Sequence, residues 1–314
     1  MSPLLIEDPV NLFYRTGMHL SSGSLLGEEL FVDGRYLTAC EEAGLAVRHV
    51  RELKGALPTV VAVDSRVMSA ARVEELRGWG VEVELQPGVL QRARAVKSEQ
   101  EIEKMRRAAA LANEGFEFAR GLLKEEITER EVAGKLQAFW FERGGEGASF
   151  EPVVAFGPHT ALPHHWPGDR KLQKGEVVLF DLGVQLESYH SDMTRVVAFE
   201  GELPEIHTVV RGAQEAALEI LRAGVTSGEL DDAARGYIAE RGYGDYFTHS
   251  LGHGLGLEVH EWPLLRPREV VMEAGMVITI EPGIYLPGKW GVRWEDAVVV
   301  REGGYERLSA KASA

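Results

Sequence analysis

From Ser98 onward the hydrophobic positions recur at three- and four-residue steps: Ile102, Met105, Ala109, Ala112, Phe116, Ala119 and Leu123. That spacing lines up one face of a long α-helix. Ser98 followed by Glu101 reads as a capping box at its start. Thr128 and Glu131 repeat the signal before a second apolar face of Val132, Leu136 and Phe139. Two further helical patterns lie at about 204–223 and 228–242. Ahead of Gln91 the pattern is shorter in period. Strand-like runs at 30–32, 59–63 and 81–85 are separated by turn signals at Asp33-Gly34 and Gly78-Trp79-Gly80. The expected organisation is a small α/β domain over 1–92 and a larger α+β domain over 93–314.

The larger domain carries a faint internal repeat. A shift of 98 places Thr128 on Thr226, Glu131 on Glu229 and Glu142-Arg143-Gly144 on Glu240-Arg241-Gly242. A shift of 100 then places Gly175, Asp181 and Gly183 on Gly275, Glu281 and Gly283. Helix–helix–strand units in the same order predict a duplicated fold with pseudo-two-fold symmetry. An acidic residue then occupies the same place in each half.

Two β-rich stretches, 177–185 and 190–199, flank a turn. If that turn centres between Leu186 and Glu187, Asp181 faces Asp192 across an antiparallel hairpin, with β-carbons about 4.5–5.5 Å apart. A second hairpin turning at Gly288 places Glu281 opposite Glu295. Buried like charges at such distances are unfavourable alone. Between the hairpins in sequence, His253 is surrounded by Gly252, Gly254 and Gly256, where backbone can approach closely. Four carboxylates and one imidazole suit two hard or borderline divalent cations: Mn²⁺, Co²⁺, Fe²⁺ or Zn²⁺.

Composition narrows the class. The 314 residues include 49 Asp+Glu against 34 Lys+Arg, a net charge of −15. That balance disfavours a protein built to grip nucleic acid or anionic lipid. No stretch approaches the roughly 20 apolar residues of a membrane span. One cysteine, Cys40, allows no internal disulfide. The N-terminal residues lack the basic start of a secretory signal. The expected location is the cytoplasm, and Cys40 is expected to be inert.

Five motifs occur in order: Asp-Leu-Gly at 181–183, Ser-Asp-Met-Thr-Arg at 191–195, Gly-His-Gly-Leu-Gly-Leu-Glu-Val-His-Glu at 252–261, Glu-Pro-Gly-Ile-Tyr at 281–285 and Gly-Val-Arg-Trp-Glu-Asp at 291–296. Together they resemble the prolidase, aminopeptidase P and methionine aminopeptidase superfamily of pita-bread fold. Residues 1–92, through Asn11-Leu-Phe-Tyr-Arg-Thr-Gly17 above all, more weakly resemble the N-terminal domain of creatinase and prolidase relatives. The resemblance implies an exopeptidase cleaving an N-terminal residue from a following proline. Either dipeptides (prolidase) or longer peptides (aminopeptidase P) would be substrates. Metal-free creatinase-like hydrolases and non-catalytic binding proteins on this fold are the remote alternatives.

The resemblance also implies roles. Asp181 would bind one metal ion, His253 and Glu281 the other, and Asp192 and Glu295 would bridge both, with Mn²⁺ or Co²⁺ favoured. Glu281 would also move a proton. His260 would stabilise the oxyanion or hold the scissile carbonyl, His164 and His249 would lie at the substrate, and Tyr285 and Arg293 would line the proline pocket. His165, beside His164, is the competing choice by spacing alone. His159, His190 and His207 are read as structural. A homodimer is the expected assembly. Several dipeptide-cleaving relatives carry an arginine just after the His-Glu-Trp-Pro stretch at 260–263. This chain has Leu264 there, with Arg266 and Arg268 beyond.

Overall fold

A computed structural model describes residues 2–265 and 270–309. Arg266 and Arg268 therefore lie outside the described residues. The chain divides into two compact units, Met1–Arg94 and Ala95–Ala314.

The first unit is built on a six-stranded mixed sheet. Its strand order is Val47–His49, Glu29–Val32, Ser24–Leu26, Leu4–Ile6, Val60–Val63, Glu82–Leu85. Alternate residues of each strand point to opposite faces. Leu5, Phe31, Val61 and Val63 pack with Val73 and Leu76 on one side. Ile6, Leu30 and Val32 pack with Leu12 and Cys40 on the other. Helices cover both faces, so strands that read as continuous apolar runs are buried on two sides. Cys40 is fully buried, and burial raises its thiol pKa, which keeps it protonated and unreactive.

The second unit repeats one plan twice. Helices Glu99–Gly121 and Glu129–Glu142 precede strands Val153–Phe156, Val177–Leu182 and Met193–Ala198. Helices Ile206–Ile220 and Ser227–Ala239 precede strands Gly252–Gly254, Val277–Ile280 and Glu295–Arg301. Thr128 and Thr226 each cap the second helix of their half through a full capping box. Gly144 and Gly242 both lie at positive φ (+84° and +82°), as do Gly175 and Gly275 (+82° and +91°). These matching left-handed positions, which glycine adopts without steric cost, mark structurally equivalent chain reversals in the two halves.

The strands of the two halves form one antiparallel sheet. They join where Met193 pairs with Asp296 and Thr194 with Glu295. The first helix pair covers Val154, Phe156, Val178 and Phe180 through Phe116, Val132, Leu136 and Trp140. The second covers Ile278, Ile280, Val298 and Val300 through Val210, Ala213, Leu230 and Ile238. Each such large apolar side chain stabilises the fold by about 1.5–3 kcal/mol when fully buried.

The two hairpins differ in how they meet expectation. The second has the expected register. Ile280 pairs with Asp296 and Gly283 with Arg293, so Glu281 stands across from Glu295. The first does not. Its turn residues are Glu187 and Ser188, at φ +49° and +68°, between the paired Leu186 and Tyr189. Two consecutive positive-φ residues are the signature of a type I′ hairpin loop. Asp181 consequently pairs with Thr194, not Asp192. Asp192 falls in the break between the two ladders, after His190 and before Met193. Neither turn residue is glycine or asparagine, so the turn type leaves no mark in the sequence. Tertiary bonds hold it instead: Arg107 to Glu187 at 2.7 Å, and the Ser188 amide to Glu146 at 2.9 Å.

The break admits Asp192 because the facing residue, Gly183, has no side chain. A β-carbon there would lie 2.0 Å from the Ser191 carbonyl oxygen, which is backbone and cannot swing away. Gly183→Ala is expected to destabilise the protein by about 1–3 kcal/mol, the usual range for overpacking. Urea unfolding measures it, and an unchanged midpoint would contradict the close approach.

Candidate metal centre and active site

Asp192, His253 and Glu295 are each at least 93% buried, and their ligand-type atoms lie within 4.8 Å of one another. Asp192 comes from the ladder break, His253 from the glycine-flanked strand of the second half, and Glu295 from the strand where the halves join. His253 Nε2 is 3.6 Å from Asp192 Oδ2 and 3.3 Å from Glu281 Oε1. Asp181 extends the face of Val177 and Leu179, and its Oδ2 accepts from Arg293 Nη2 at 2.6 Å.

The centre is crowded with acceptors. Asp181 Oδ1, Asp192 Oδ1 and Glu295 Oε1 are buried with no hydrogen-bond partner. Burial, then the charges of Asp181 and Glu281, raises the Asp192 pKa well above the carboxylate range. Burial, then Asp192, Glu281 and Asp181, does the same at Glu295. Burial likewise lifts Glu281 to about 8, although Arg293 works against it. His253 is pushed down to about 4 by burial and then by His260, so its ring is neutral at pH 7. Its Nδ1 lies 3.0 Å from the Gly254 carbonyl and must donate to it. That leaves the Nε2 lone pair aimed at two carboxylates. Lone pairs converging without donors cost roughly 1–3 kcal/mol per orphaned acceptor. Divalent cations among them would remove that cost, and a backbone-anchored imidazole is the usual orientation of a metal-binding histidine. The residues present fit such ions.

A second line of groups lies beside the centre. Arg293 Nη1 donates to the Tyr285 hydroxyl at 2.6 Å, and Tyr285 is 2.9 Å from His249 Nε2. His249 Nδ1 lies 2.8 Å from the Ser250 carbonyl, so it donates there and Nε2 accepts from Tyr285. Burial, then Arg293, lowers His249 to about 4, and burial raises Tyr285 to about 12. Both therefore hold the neutral forms this chain requires. Arg293 and Tyr285 are buried, with their polar ends engaged with each other. His260 is exposed, its ring 4.3 Å from that of His253. His164 is exposed and close enough to both His249 and His260 to depress their protonation.

The structure separates the two neighbouring histidines. His165 bonds Glu129 at 2.8 Å, whereas His164 is exposed and the carbonyl of the preceding Pro163 accepts from Arg293. His159 also binds Glu129, and His207 packs edge-on against Trp294. Sequence reasoning missed three supporting groups. Thr194 donates to Glu295 and receives a bond from Arg293. Arg195, 1% exposed, pairs with Asp296 at 2.6 Å beneath the site. Glu129 is fully buried, though its place in the first turn of a helix looks like an ordinary surface charge. The Thr-Arg of the 191–195 motif was a usable signal for the first two, whereas Glu129 had none.

A duplicated sheet holding acceptor-rich carboxylates, a backbone-anchored histidine and flanking neutral histidines is the framework of a divalent-metal enzyme. The chain belongs to metallopeptidase family M24, whose family model matches residues 103–302, and its second unit has the pita-bread fold of that family. It is 39% identical to an uncharacterized peptidase of Staphylococcus aureus, covering 97% of this chain and 93% of that one. Prolidase from Pyrococcus furiosus superposes with a TM-score of 0.93 at 35% identity, covering 100% of this chain and 97% of that one. An X-Pro aminopeptidase from Thermotoga maritima gives 0.93 at 33% identity, with the same coverage. Among the described residues no helix is long and apolar enough to cross a membrane.

Proposed function

We propose that the chain is an Xaa-Pro exopeptidase that releases an N-terminal residue from a following proline, dipeptides being its main substrates. The observation that carries this reading is the set of buried, partnerless oxygens of Asp181, Asp192 and Glu295 around a neutral His253 whose Nε2 faces Asp192 and Glu281, in a chain similar over its whole length to a prolidase. Asp181, Asp192, His253, Glu281 and Glu295 would hold two divalent cations, Mn²⁺ or Co²⁺ by preference, with Zn²⁺ or Fe²⁺ also suited to the donor set. Such ions polarise a scissile carbonyl and make water acidic near neutral pH.

The protein's own residues supply the rest. Glu281, ionised when cations are held beside it, takes the proton of the attacking water and returns it to the departing proline nitrogen. His260, exposed at the mouth, donates to the oxygen on which negative charge develops. His164 and His249 hold the substrate beside it. The Arg293–Tyr285–His249 chain fixes the His249 tautomer and shapes the proline side of the site. An Xaa-Pro bond has no N–H to recognise. A site acting on the carbonyl and the leaving nitrogen does not need one. Residues 1–92 form a creatinase-like N-terminal domain in this reading, and the enzyme is a cytoplasmic homodimer. Leu264, 42% exposed, offers no cation to a dipeptide's carboxylate, which favours longer peptides as a second reading.

The test is hydrolysis of Ala-Pro and Ala-Pro-Ala with Mn²⁺, Co²⁺ and Zn²⁺ supplied separately. Cleavage of Ala-Pro supports the dipeptidase, and cleavage of the tripeptide alone supports the aminopeptidase. No cleavage of either with any metal overturns the proposal. For His260→Ala, kcat is expected to fall by about 10²–10³ with bound metal retained, the usual cost of one oxyanion donor. Metal loss in that variant would make His260 a ligand instead.

A further inference from the structure

The segment that carries His164 is fastened at both ends to one buried carboxylate. Glu129 Oε1 accepts from the Phe156 amide at 3.0 Å and lies 2.8 Å from His159 Nδ1. Glu129 Oε2 accepts from the Gly168 amide at 3.0 Å and lies 2.8 Å from His165 Nε2. The two rings lie beside each other with centroids 4.3 Å apart, tilted by 38°. The side chain is fully buried at the N-terminal end of its helix, where the helix dipole favours negative charge. Burial alone would raise its pKa, but the bonds from His165, Gly168, Phe156 and His159 outweigh burial and hold it below the ordinary value. Midway along the segment, Thr160 accepts from the Gly291 amide at 2.8 Å, and the Pro163 carbonyl accepts from Arg293 at 3.3 Å.

We propose that Glu129 is a positioning residue for the reaction: by clamping Phe156, His159, His165 and Gly168 at once, it sets where His164 meets the substrate. This rests on the peptidase reading, in which His164 touches substrate. A carboxylate, a histidine and a second histidine within reach of each other could also be a metal triad. Here, however, the carboxylate has about four lone-pair sites and all four are engaged, two of them by backbone amides that cannot turn away. The arrangement is that of a clamp. It joins the first-half helix to the active site through a single side chain, and His165, adjacent to His164, leaves the latter little freedom.

Glu129→Gln keeps the shape but not the bonding. Whichever way the amide is turned, its NH₂ faces a backbone N–H, at Phe156 or at Gly168. The histidines can change tautomer, whereas the backbone cannot. The expected result is a fall in kcat/KM on Ala-Pro of about 10–100-fold, in line with sub-ångström to ångström misplacement of a substrate-holding group, with bound metal unchanged. The deciding measurement is a double-mutant cycle with His164→Ala. If Glu129 acts through His164, Glu129→Gln costs nothing further once His164 is gone. An equal loss in both backgrounds shows a general structural role and overturns the proposal, as does loss of a bound metal ion in Glu129→Gln that His164→Ala retains. Should Glu129→Gln fail to fold, His165→Phe, which keeps ring volume and deletes one clamp bond, enters the same cycle with the same two outcomes. A wild-type chain that cleaves neither peptide refutes the peptidase reading itself, and an active wild type with additive variants refutes the clamp alone.

Discussion

Replacing Asp192 with asparagine is expected to abolish peptidase activity while raising the melting temperature of the metal-free protein. The two effects have one cause. Asp192 is 5% exposed, lies 3.6 Å from the His253 lone pair, and has Oδ1 without a partner. With cations present its charge is needed. Removing it loosens the metal site and costs on the order of 10³-fold in kcat/KM, equivalent to several kcal/mol of lost electrostatic stabilisation. Without cations the same charge is a liability, opposed by burial and by Asp181 and Glu281. An amide of equal shape removes the repulsion. Each kcal/mol so relieved shifts the melting temperature of a unit this size upward by about 2–4 °C. Calorimetry with chelator, metal analysis and the Ala-Pro assay on one preparation test both halves. Full activity with full metal content in Asp192→Asn would remove this residue from the centre.

Chelation should also make the stability of the wild-type protein depend on pH, with a definite sign. In the unfolded chain carboxyl groups titrate near 4. In the folded, metal-free chain, burial and neighbouring charges raise Asp192, Glu295 and Glu281, the last to about 8. Above about pH 7, where the lowered His249 and His253 no longer oppose the effect, the folded state holds more protons than the unfolded state until these carboxyls ionise. Unfolding free energy therefore decreases as pH rises through that window. Below about pH 4 both states are protonated and the contribution is level. Above the folded-state values the loss is complete. Denaturant unfolding at pH 7, 8 and 9 in chelator should show stability declining, with a shallower decline in Asp192→Asn. With metal restored, the ionised ligands are held by cations and the decline should vanish over this range. A chelated wild type whose stability is flat or rises across it would contradict the raised values.

Much of the architecture was legible because it rests on local chemistry. The capping boxes at Ser98, Thr128 and Thr226 announce helices through side chains that reach only three residues. The register of the second hairpin was also legible. Gly288, at φ +73°, marks its turn, and a glycine turn signals itself in sequence. The first hairpin was misread by one residue at its turn because Glu187 and Ser188 adopt positive φ under tertiary constraint. A one-residue error at the centre displaces every facing pair by two. Asp181 and Asp192 were thus rightly assigned to one neighbourhood and wrongly made direct partners.

Spacing alone left His164 and His165 equivalent. The structure divides them, because the His165 imidazole is drawn to a buried carboxylate 36 positions earlier while His164 stays exposed. Arg293 could be read as a neutraliser or as a substrate group. Its bonds to Asp181, Tyr285 and Thr194 make it a hub between the carboxylates and His249.

By itself the sequence determined the helices, the strand pairings around glycine turns, the duplicated plan and the identity of the acidic and histidine side chains able to hold metal. These follow from periodicity, capping and chain reversal, which act over a few residues. Only the tertiary structure decided which acceptors are left without donors, which of the two neighbouring histidines is tied to a buried carboxylate, and that Glu129 fastens the segment bearing His164. Those outcomes depend on burial and on bonds between residues 30 to 112 positions apart, such as His159 with Glu129 and Arg293 with Asp181, and such distances enter no local pattern.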